Sequence, residues 1–280
     1  MRKIFVSDFS DFCFGVKRAI RIAEDTLKNG TKPVYSLDAI IHNKEVVKRL
    51  AKKGLKVLKG NLKDIKSGTV VICSHGVYPD RLKGIRNRIA IANATCPFVK
   101  NAQKIAGELS SKGYKVVIIG DKGHPEVQSL KKFAGNKAVV ISDIGEARKF
   151  RSGTGKLGVL AQTTQANKSF RAILSELFKK DFKEISVFNT ICRDADMRQR
   201  ATEELSKKSG TMIVVGGKDS ANTRRLYDIC RKAGASAYHI ETAGELKKAW
   251  LKNRKSVGIV SGASTPRWIV NEVVQKLKDM

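Results

Sequence analysis

Three cysteines, one in each third of the chain, are the first candidates for chemistry. They lie in similar short stretches: DFCFGVKRA around Cys13, ATCPFV around Cys96 and FNTICRDAD around Cys192. Cys96 and Cys192 each follow an apolar-to-polar approach and precede a helical pattern, and the proline after Cys96 is typical of the first position of a helix. The pattern indicates a weak internal triplication, in which each unit offers one thiol near a junction.

Three converging thiolates could hold an iron–sulfur cluster, because its iron atoms favour soft sulfur ligands. Three protein ligands would leave one iron open, as a catalytic metal requires. Zinc is the competing metal, although these cysteines lack the short CxxC spacing typical of zinc sites. Three separate buried cysteines are the simpler alternative, and spacing alone does not decide between them. Cys73 and Cys230 lie in a strand-like and a helix-like run, which predicts core packing for both.

Polar loops follow four of the predicted strands, with the sequences CSHG, GDKGHPE, GGKDSANT and SGASTP. In open α/β sheets, ligands bind beyond the carboxyl ends of the strands, so Gly, Ser, Asn and His at these points predict a site for an anionic, phosphate-like group. Each loop taken alone is equally typical of an ordinary turn. The P-loop pattern GxxxxGK[ST] does not occur in the sequence, and the GxGxxG match GTGKLG at 153–158 runs into a predicted strand instead of following one, which disfavours a Rossmann dinucleotide site.

Three of the four histidines, His42, His75 and His124, fall in polar loop motifs, whereas His239 in SAYHIE is interpreted as structural. The segment GHPE places His124 and Glu126 two residues apart on one loop. One of these groups could therefore meet a phosphate while the other meets the reacting end of a substrate.

The elements that position these residues alternate between strands and helices. Strands are predicted in six apolar, β-branched runs: 69–76, 115–125, 138–143, 156–164, 211–220 and 256–265. Amphipathic segments with helical spacing lie between many of them, and the glycines of KKG, SKGY and KAG predict helix ends. The alternation predicts an α/β fold with mainly parallel sheets.

The composition predicts a soluble, cytoplasmic protein that has no membrane partner. Of the 280 residues 41% are hydrophobic, yet no apolar run approaches the length of a membrane-spanning helix, and MRKIFVSDFSDF lacks the apolar stretch of a secretory signal. In a reducing compartment, five cysteines favour metal or catalytic roles over disulfides. The basic residues behind the net charge of +29 are scattered, and aromatics are only 6%, which disfavours nucleic acid and favours an acidic protein partner or a solvated basic face.

The ordered motifs resemble those of the 4-hydroxy-3-methylbut-2-enyl diphosphate reductase family, which acts last in the non-mevalonate isoprenoid pathway. The resemblance covers essentially the whole chain and rests on CFGVKRA, IHNKEVV, SHGV, ATCPFV, GDKGHPEV, AQTTQ, NTIC, RQ, VVGGKDSANTRRL, YHIET and GASTP. It implies three pseudo-repeated α/β units around a central iron–sulfur cluster, at residues 1–96, 97–191 and 192–280. Residues 1–12 belong to the first unit or pack on the third.

The resemblance also implies a reaction. Cys13, Cys96 and Cys192 match the ligands of a [4Fe–4S] cluster whose open iron takes the substrate hydroxyl, which is then removed reductively to give isopentenyl and dimethylallyl diphosphates. Glu126 matches the acid that delivers a proton, and Thr163 the threonine that holds the hydroxyl and relays it, with His124 beside them. The implied electron donor is an acidic ferredoxin or flavodoxin. Contacts to the allylic diphosphate are implied at His42, His75, His124, Ser220, Asn222 and Ser264.

Five positions depart from the family pattern: Asp11, Ser129, Asp194, Ala195 and Ala221. Asp11 and Ser129 stand where glycine is usual. Ala195 and Ala221 each remove a hydroxyl near the expected pocket, and each lost hydrogen bond would weaken binding by about 0.5–1.5 kcal/mol. Asp194 adds a carboxylate beside an anionic cluster and therefore needs a neighbouring cation, for which Arg193 is the candidate.

Two classes of function follow from these residues. The leading one is the reductive dehydroxylase, which the intact cysteine, histidine and glutamate motifs favour. The alternative is a cluster-bearing paralogue that senses redox state, acts on another allylic diphosphate or binds nucleic acid. The substituted pocket positions and the basic charge favour this alternative.

Overall fold

The computed structural model describes residues 2–58, 65–82, 89–151, 153 and 155–280. The strands are β1 (Lys3–Val6), β2 (Val34–Leu37), β3 (Lys56–Leu58), β4 (Gly68–Ile72), β5 (Ile89–Asn93), β6 (Lys115–Ile119), β7 (Val139–Ile141), β8 (Lys156–Ala161), β9 (Glu184–Phe188), β10 (Thr211–Val215), β11 (Ser236–Ile240) and β12 (Ser256–Ser261). The helices are α1 (Phe14–Asn29), α2 (Lys44–Lys52), α3 (Pro97–Ser111), α4 (Pro125–Phe133), α5 (Ile144–Lys149), α6 (Asn167–Leu177), α7 (Arg193–Ser209), α8 (Ala221–Lys232) and α9 (Arg267–Lys278). Among the described residues, no helix combines the length and the apolar character needed to cross a membrane.

The described strands form three four-stranded sheets, and their pairings are parallel. The order is β3-β2-β4-β5 in the first sheet, β7-β6-β8-β9 in the second and β11-β10-β12-β1 in the third. Number the strands of each sheet along the chain, and count β1 as the fourth strand of the third sheet. All three sheets then have the same spatial order, which is second, first, third, fourth. The predicted α/β class with mainly parallel sheets is confirmed.

Internal contacts divide the chain into two compact units. The terminal unit holds the third sheet and comprises Met1–Lys17, Ile41–Val47 and Arg193–Met280. The central unit holds the first and second sheets and comprises Arg18–Ile40 and Lys48–Cys192.

The division predicted from the sequence was into residues 1–96, 97–191 and 192–280. One sheet draws its strands from each of these ranges, except that β1 joins the sheet of the last range by pairing with β12. The contacts cut the chain differently, into two units rather than three. The three domain boundaries therefore stay a prediction.

Helices cover both faces of the second sheet. Val117 and Ile119 of β6 pack in one apolar cluster with residues of α5 and α6, whereas Val116 and Ile118 pack in another with residues of α3 and α4. Alternate residues of a strand point to opposite faces, so a strand buried on both faces needs an unbroken apolar run. The third sheet is buried in the same way, and Cys230 of α8 lies in its core, as predicted.

Glycines terminate three helices at the positions expected from the sequence. Gly54, Gly113 and Gly234 follow α2, α3 and α8 with φ of 102°, 78° and 82°. Positive φ is the left-handed conformation of a helix C-cap, which glycine adopts without the steric penalty of a Cβ. These ends set the lengths of helices whose opposite ends face the polar loops.

Arg198 of α7 holds the segment that joins β1 to Cys13. Its side chain is 3% exposed, and its guanidinium donates to three carbonyl oxygens, those of Phe9, Asp11 at 2.7 Å and Ser261 at 3.3 Å. Its Nε lies 2.7 Å from Oδ2 of Asp194. One buried cation therefore fastens the loop before Cys13 to the end of β12 and to α7.

The Asp194 contact corrects one expectation from the sequence. The predicted cation was Arg193, the adjacent residue, but the partner that the structure shows is Arg198, one helical turn further along α7. Residues four apart lie on the same face of a helix, whereas adjacent residues point about 100° apart. Asp194 also lies in the first turn of α7, where a negative charge is favourable.

Arg198→Gln is expected to lower the free energy of unfolding of the ligand-free protein by about 3 kcal/mol, because three carbonyl oxygens and Asp194 lose a buried cationic donor. Urea unfolding measures this loss. Arg200→Gln is the matched control, since Arg200 on the same helix pairs with Asp196 at 3.0 Å but is 72% exposed. It should change the stability by no more than about 0.5 kcal/mol, and equal losses in the two variants would contradict the role assigned to Arg198.

Candidate active site

The three candidate cysteines occupy the same place in the three sheets. Each follows the fourth strand of its sheet and directly precedes a helix, which is α1, α3 or α7. In each case the backbone N–H of the cysteine donates to the carbonyl of the second residue after the third strand: Cys13 to Ala263 at 3.0 Å, Cys96 to Ser74 at 2.9 Å and Cys192 to Thr163 at 2.8 Å. The backbone thus carries the predicted triplication, with one thiol at each helix start.

The start of a helix suits a thiolate, because the first amide N–H groups have no partner within the helix and carry partial positive charge. At α1 the N–H of Val16 donates to Sγ of Cys13 at 3.4 Å. At α3 the first helical position is Pro97, immediately after Cys96, as predicted. Both thiols therefore lie at a helix start, where amide N–H groups favour a negatively charged sulfur, but at Cys96 burial outweighs this effect.

Charge also links three groups of the central unit. Burial is the largest cause of a raised pKa for Cys96, and the negative charges of Cys192 and Glu126 add to it. The N–H groups of Phe98 and Val99 act in the opposite direction. Two thiols and a carboxyl group are close enough to repel one another electrostatically, which is a donor set that a bound cation would stabilise. Within the described ranges no three Cys, His, Asp or Glu side chains form a metal-binding group, so the three-cysteine ligand set stays a prediction.

Glu126 and Thr163 form a closed pair beyond the second sheet. Glu126 is the second residue of α4 and is 2% exposed. Its Oε1 accepts the backbone N–H of Thr163 at 2.6 Å, and its Oε2 accepts the Thr163 hydroxyl at 2.8 Å. The carbonyl of Thr163 accepts the N–H of Cys192. A buried acid is thereby joined through a hydroxyl to the segment of a candidate metal ligand, which suits proton transfer at that point.

His124 begins the helix that carries Glu126. Its Nδ1 accepts the backbone N–H of Glu126 at 3.2 Å, as the N-cap of α4. In a neutral imidazole only one nitrogen is protonated, so this contact places the proton of His124 on Nε2. The loop predicted to carry both residues therefore ends at His124, Glu126 lies in the first turn of α4, and an N–H donor is left on the far side of the His124 ring.

His75 lies in a tight turn after β4. Its Nε2 is 3.0 Å from Sγ of Cys73, and both residues are buried. Cys73 is thus in the core, as predicted, but its contact with His75 was not predicted. His239 fits its structural interpretation, because its Nε2 is 2.9 Å from the carbonyl of Gly216.

In the terminal unit, two loops meet at the backbone of His42. The hydroxyl of Ser264 donates to the His42 carbonyl at 3.0 Å. Gly217 approaches so closely that a Cβ on it would lie 2.7 Å from the same oxygen, so only glycine fits there. Burial is the main cause of the lowered pKa of the His42 ring. The positive charge of Arg224 also lowers this pKa, whereas the negative charge of Asp219 raises it. His42 is therefore neutral in the ligand-free protein near pH 7.

The start of α8 offers an unused amide. Ser220 is the N-cap, and its hydroxyl accepts the N–H of Thr223 at 3.3 Å. Asn222 is 4% exposed, and among the described residues neither its Oδ1 nor its Nδ2 has a hydrogen-bond partner. Burying an unsatisfied amide costs about 1–3 kcal/mol. A polar ligand at this helix N-terminus would satisfy it, and helix N-termini favour anions.

The structure shows where the four other residues that depart from the family pattern lie. Ser129 of α4 accepts the side-chain N–H of Gln103 at 2.9 Å and so links α4 to α3. Ala195 and Ala221 are buried in the first turns of α7 and α8. Asp11 pairs with Lys17 at 2.9 Å.

The candidate residues fall into two groups. The terminal unit contains Cys13, His42, Ser220, Asn222 and Ser264, and the central unit contains His75, Cys96, His124, Glu126, Thr163 and Cys192. Within each unit these side chains lie at strand exits and helix starts. Two residues that matter to them were missed, Cys73 and Arg198. The second could have been found from the spacing of four between Asp194 and Arg198.

Three parallel sheets of one strand order, each with a thiol at the exit of its fourth strand, define a class of three-sheet α/β proteins with a buried acid–hydroxyl pair. The chain belongs to the LytB protein family, whose model matches residues 4–278.

Relatives and solved structures agree with this assignment. The chain is 42% identical over 280 residues to a protein of Syntrophotalea carbinolica named 4-hydroxy-3-methylbut-2-enyl diphosphate reductase, with 99% of each covered. It is 40% identical over 288 residues to the protein of that name from Aquifex aeolicus, with 100% of this chain and 97% of the relative covered.

Two solved structures are similar over the whole chain. One is described as (E)-4-hydroxy-3-methyl-but-2-enyl diphosphate reductase, the terminal enzyme of the non-mevalonate pathway, and is 39% identical with a TM-score of 0.68 and full coverage of both chains. The other is the E-1-hydroxy-2-methyl-but-2-enyl-4-diphosphate reductase from Plasmodium falciparum, 27% identical with a TM-score of 0.92, covering 99% of this chain and 88% of that one.

Asn222→Leu is expected to stabilise the ligand-free protein by about 1 kcal/mol, because an unsatisfied buried amide is replaced by an apolar group of similar size. The same change should weaken the binding of inorganic diphosphate by about tenfold or more, since a hydrogen bond to a charged group is lost. Thermal unfolding and calorimetric titration measure the two effects.

Thr223→Val is the matched control for this prediction. The Thr223 hydroxyl is also buried without a hydrogen-bond partner among the described residues, but it lies against Gly216 and Gly262 of its own unit. This variant should gain stability without losing affinity. An unchanged affinity in Asn222→Leu would contradict a role for this amide in binding the ligand.

Proposed function

We infer that this chain catalyses the reductive removal of the hydroxyl group from 4-hydroxy-3-methylbut-2-enyl diphosphate, giving isopentenyl and dimethylallyl diphosphates. Relatives of this name match the chain over its full length at about 40% identity. The structural observation that carries the inference is the pair of Glu126 and Thr163, because a buried acid closed on a hydroxyl is what protonation of a departing hydroxide requires.

We propose that Cys13, Cys96 and Cys192 hold a [4Fe–4S] cluster. Each is a thiol at the start of a helix, and the repeated backbone hydrogen bond gives all three the same setting. The raised pKa of Cys96, together with the charges of Cys192 and Glu126, fits a site that a cationic group would stabilise. When bound, the cluster supplies electrons and an open iron that acts as a Lewis acid.

The residues of the chain then have distinct tasks. Glu126 holds the proton, and its Oε2 is within hydrogen-bond distance of Oγ1 of Thr163. A proton on the Glu126 carboxyl can pass to Thr163 Oγ1 while Thr163 passes its own proton to the departing hydroxyl, which leaves as water. The N–H of Thr163 fixes the other carboxylate oxygen, so the acid keeps its orientation during the transfer.

We propose that the diphosphate is bound by the side chains of His42, His75, His124, Ser220, Asn222 and Ser264. The support in the terminal unit is the unused amide of Asn222 at the N-terminus of α8. The support in the central unit is His124, whose ring proton is placed on Nε2 by the helix cap. Burial of His42 keeps its ring neutral until an anion arrives, so the anion would raise its pKa and draw a proton to it.

Glu126→Gln, reconstituted with iron and sulfide without oxygen, is expected to lose about 10²–10⁴ in kcat while keeping its cluster content and thermal stability. Glutamine has the size of glutamate, and its carbonyl can still accept the N–H of Thr163. Thr163→Val should lose activity in the same way, whereas Thr163→Ser keeps the hydroxyl and serves as the control. Product formation from the substrate with a chemical reductant is the measurement.

The outcomes separate the two classes of function. Unchanged turnover in Glu126→Gln would exclude the proposed proton donor while leaving the reaction in place. Failure of the fully loaded wild-type protein to form product would overturn the reductase assignment. It would favour the paralogue that senses redox state or acts on another allylic diphosphate.

We propose that an acidic electron-transfer protein, such as a ferredoxin or flavodoxin, supplies the electrons in the cytoplasm. The support is the net charge of +29, from 55 Lys and Arg against 26 Asp and Glu, which attracts an acidic partner. We propose neither a membrane nor a nucleic acid as a partner.

The rate driven by ferredoxin or flavodoxin is expected to fall as salt is added, because screening weakens attraction beyond about 8 Å at 0.15 M ionic strength. The control is the same protein driven by a small viologen reductant, whose positive charge gives it no such attraction. Its rate should not fall with salt. A rate with the protein donor that is insensitive to salt would remove the electrostatic account of partner recognition.

A further inference from the structure

Cys73 and His75 are held against each other by a tight turn after β4. The N–H of Gly76 donates to the carbonyl of Cys73 at 3.1 Å, and Gly76 has a φ of 76°, which closes the turn. Within it, Sγ of Cys73 lies 3.0 Å from Nε2 of His75 and 3.6 Å from the carbonyl oxygen of Gly76. Cys73 is 1% exposed, so water does not compete for this contact.

The thiol of Cys73 is neutral. Burial, the largest cause, raises its pKa to about 12, and the charge of Asp38 adds to the effect. A neutral thiol carries one hydrogen, and the nearer acceptor for it is Nε2 of His75. If that nitrogen accepts, the proton of a neutral imidazole must lie on Nδ1.

The equivalent turn of the second sheet has the same construction. Gln162 is also the first residue after a third strand, and the N–H of Gln165 donates to its carbonyl at 2.9 Å. Its side-chain Nε2 donates to Oγ1 of Thr164, two residues on, at 2.9 Å. In both turns the side chain of the first residue therefore contacts and orients the side chain two residues further on. In the third sheet the first residue of the turn is Gly262, which has no side chain to do so.

We propose that Cys73 is a positioning residue for His75, whose Nε2 accepts the Cys73 thiol so that Nδ1 keeps the ring proton and donates it to an oxygen of the diphosphate. The inference rests on the proposed function, in which His75 contacts the diphosphate. The opposite tautomer would present a lone pair of Nδ1 to an anion, which repels it. The thiol thus selects the form of the ring that binds without taking up a proton.

Cys73→Ala is expected to raise the dissociation constant of inorganic diphosphate and the KM of the substrate about fivefold to tenfold, because the ring loses the contact that fixes its proton. The value of kcat should stay within about twofold, since no proton to the leaving hydroxyl passes through His75. Cys73→Ser should restore both constants, because a serine hydroxyl donates to a ring nitrogen at least as well as a thiol. Calorimetry with inorganic diphosphate and steady-state kinetics provide the measurements on the cluster-loaded protein.

Cys230→Ala is the matched control, because Cys230 is an equally buried thiol whose role is packing in α8. It should leave both binding constants unchanged while showing the cost of losing a buried sulfur. His75→Ala separates the two levels of inference. If His75→Ala weakens diphosphate binding but Cys73→Ala does not, only the positioning role is wrong. If His75→Ala has no effect, the proposed diphosphate contact of His75 is itself wrong.

Discussion

The exit of the fourth strand in each sheet is fixed by one backbone hydrogen bond. A buried peptide N–H must find an acceptor, and the N–H of each candidate cysteine finds the carbonyl of the second residue beyond the third strand. The next residue then begins a helix, and amides of its first turn contact the sulfur at Cys13 and Cys96. The position of the thiol is therefore set by the backbone. In the second sheet the same residue, Thr163, supports the cysteine with its carbonyl and the acid with its N–H and hydroxyl.

The helices that follow the first strands of the three sheets carry different side chains at the same position. The helix after each first strand, which is α2, α4 or α8, begins with a side-chain cap, and its second residue lies at the mouth of the sheet. That second residue is an exposed Glu45 in the first sheet, a buried Glu126 in the second and a buried Asn222 in the third. A repeated backbone thus holds an exposed carboxylate, a buried carboxyl group and a buried amide at equivalent points. Ligands of open α/β sheets bind at such points, where strand order reverses.

The strands predicted from the sequence are mainly those that have a continuous apolar run. Five of the six, β4, β6, β8, β10 and β12, lie in the interior of a sheet, where burial on both faces demands a continuous apolar run. The edge strands β3, β5, β9 and β11 mix polar and apolar residues because one side meets solvent, and periodicity did not reveal them. The interior strand β2 was missed because it has only four residues, VYSL.

The site was predictable where a motif fixes local geometry and not where the contact depends on the path of the chain. The pairing of His124 with Glu126 follows from two positions on one loop, and Pro97 marks the start of α3. The closure of Glu126 on Thr163 joins two strand exits, which spacing cannot reveal. The thiol of Cys73 was assigned to the core correctly, but an apolar environment did not exclude a specific partner.

The place of β1 has a consequence for the maturation of the protein. β1 is made long before β12, its neighbour among the described strands, and Ala263, whose carbonyl accepts the N–H of Cys13, follows β12. Cys13 therefore has no fixed position on the ribosome until β12 and Ala263 have emerged. An inorganic group that requires Cys13 in this position can be inserted only after that point, which makes its acquisition a late step in the folding of the protein.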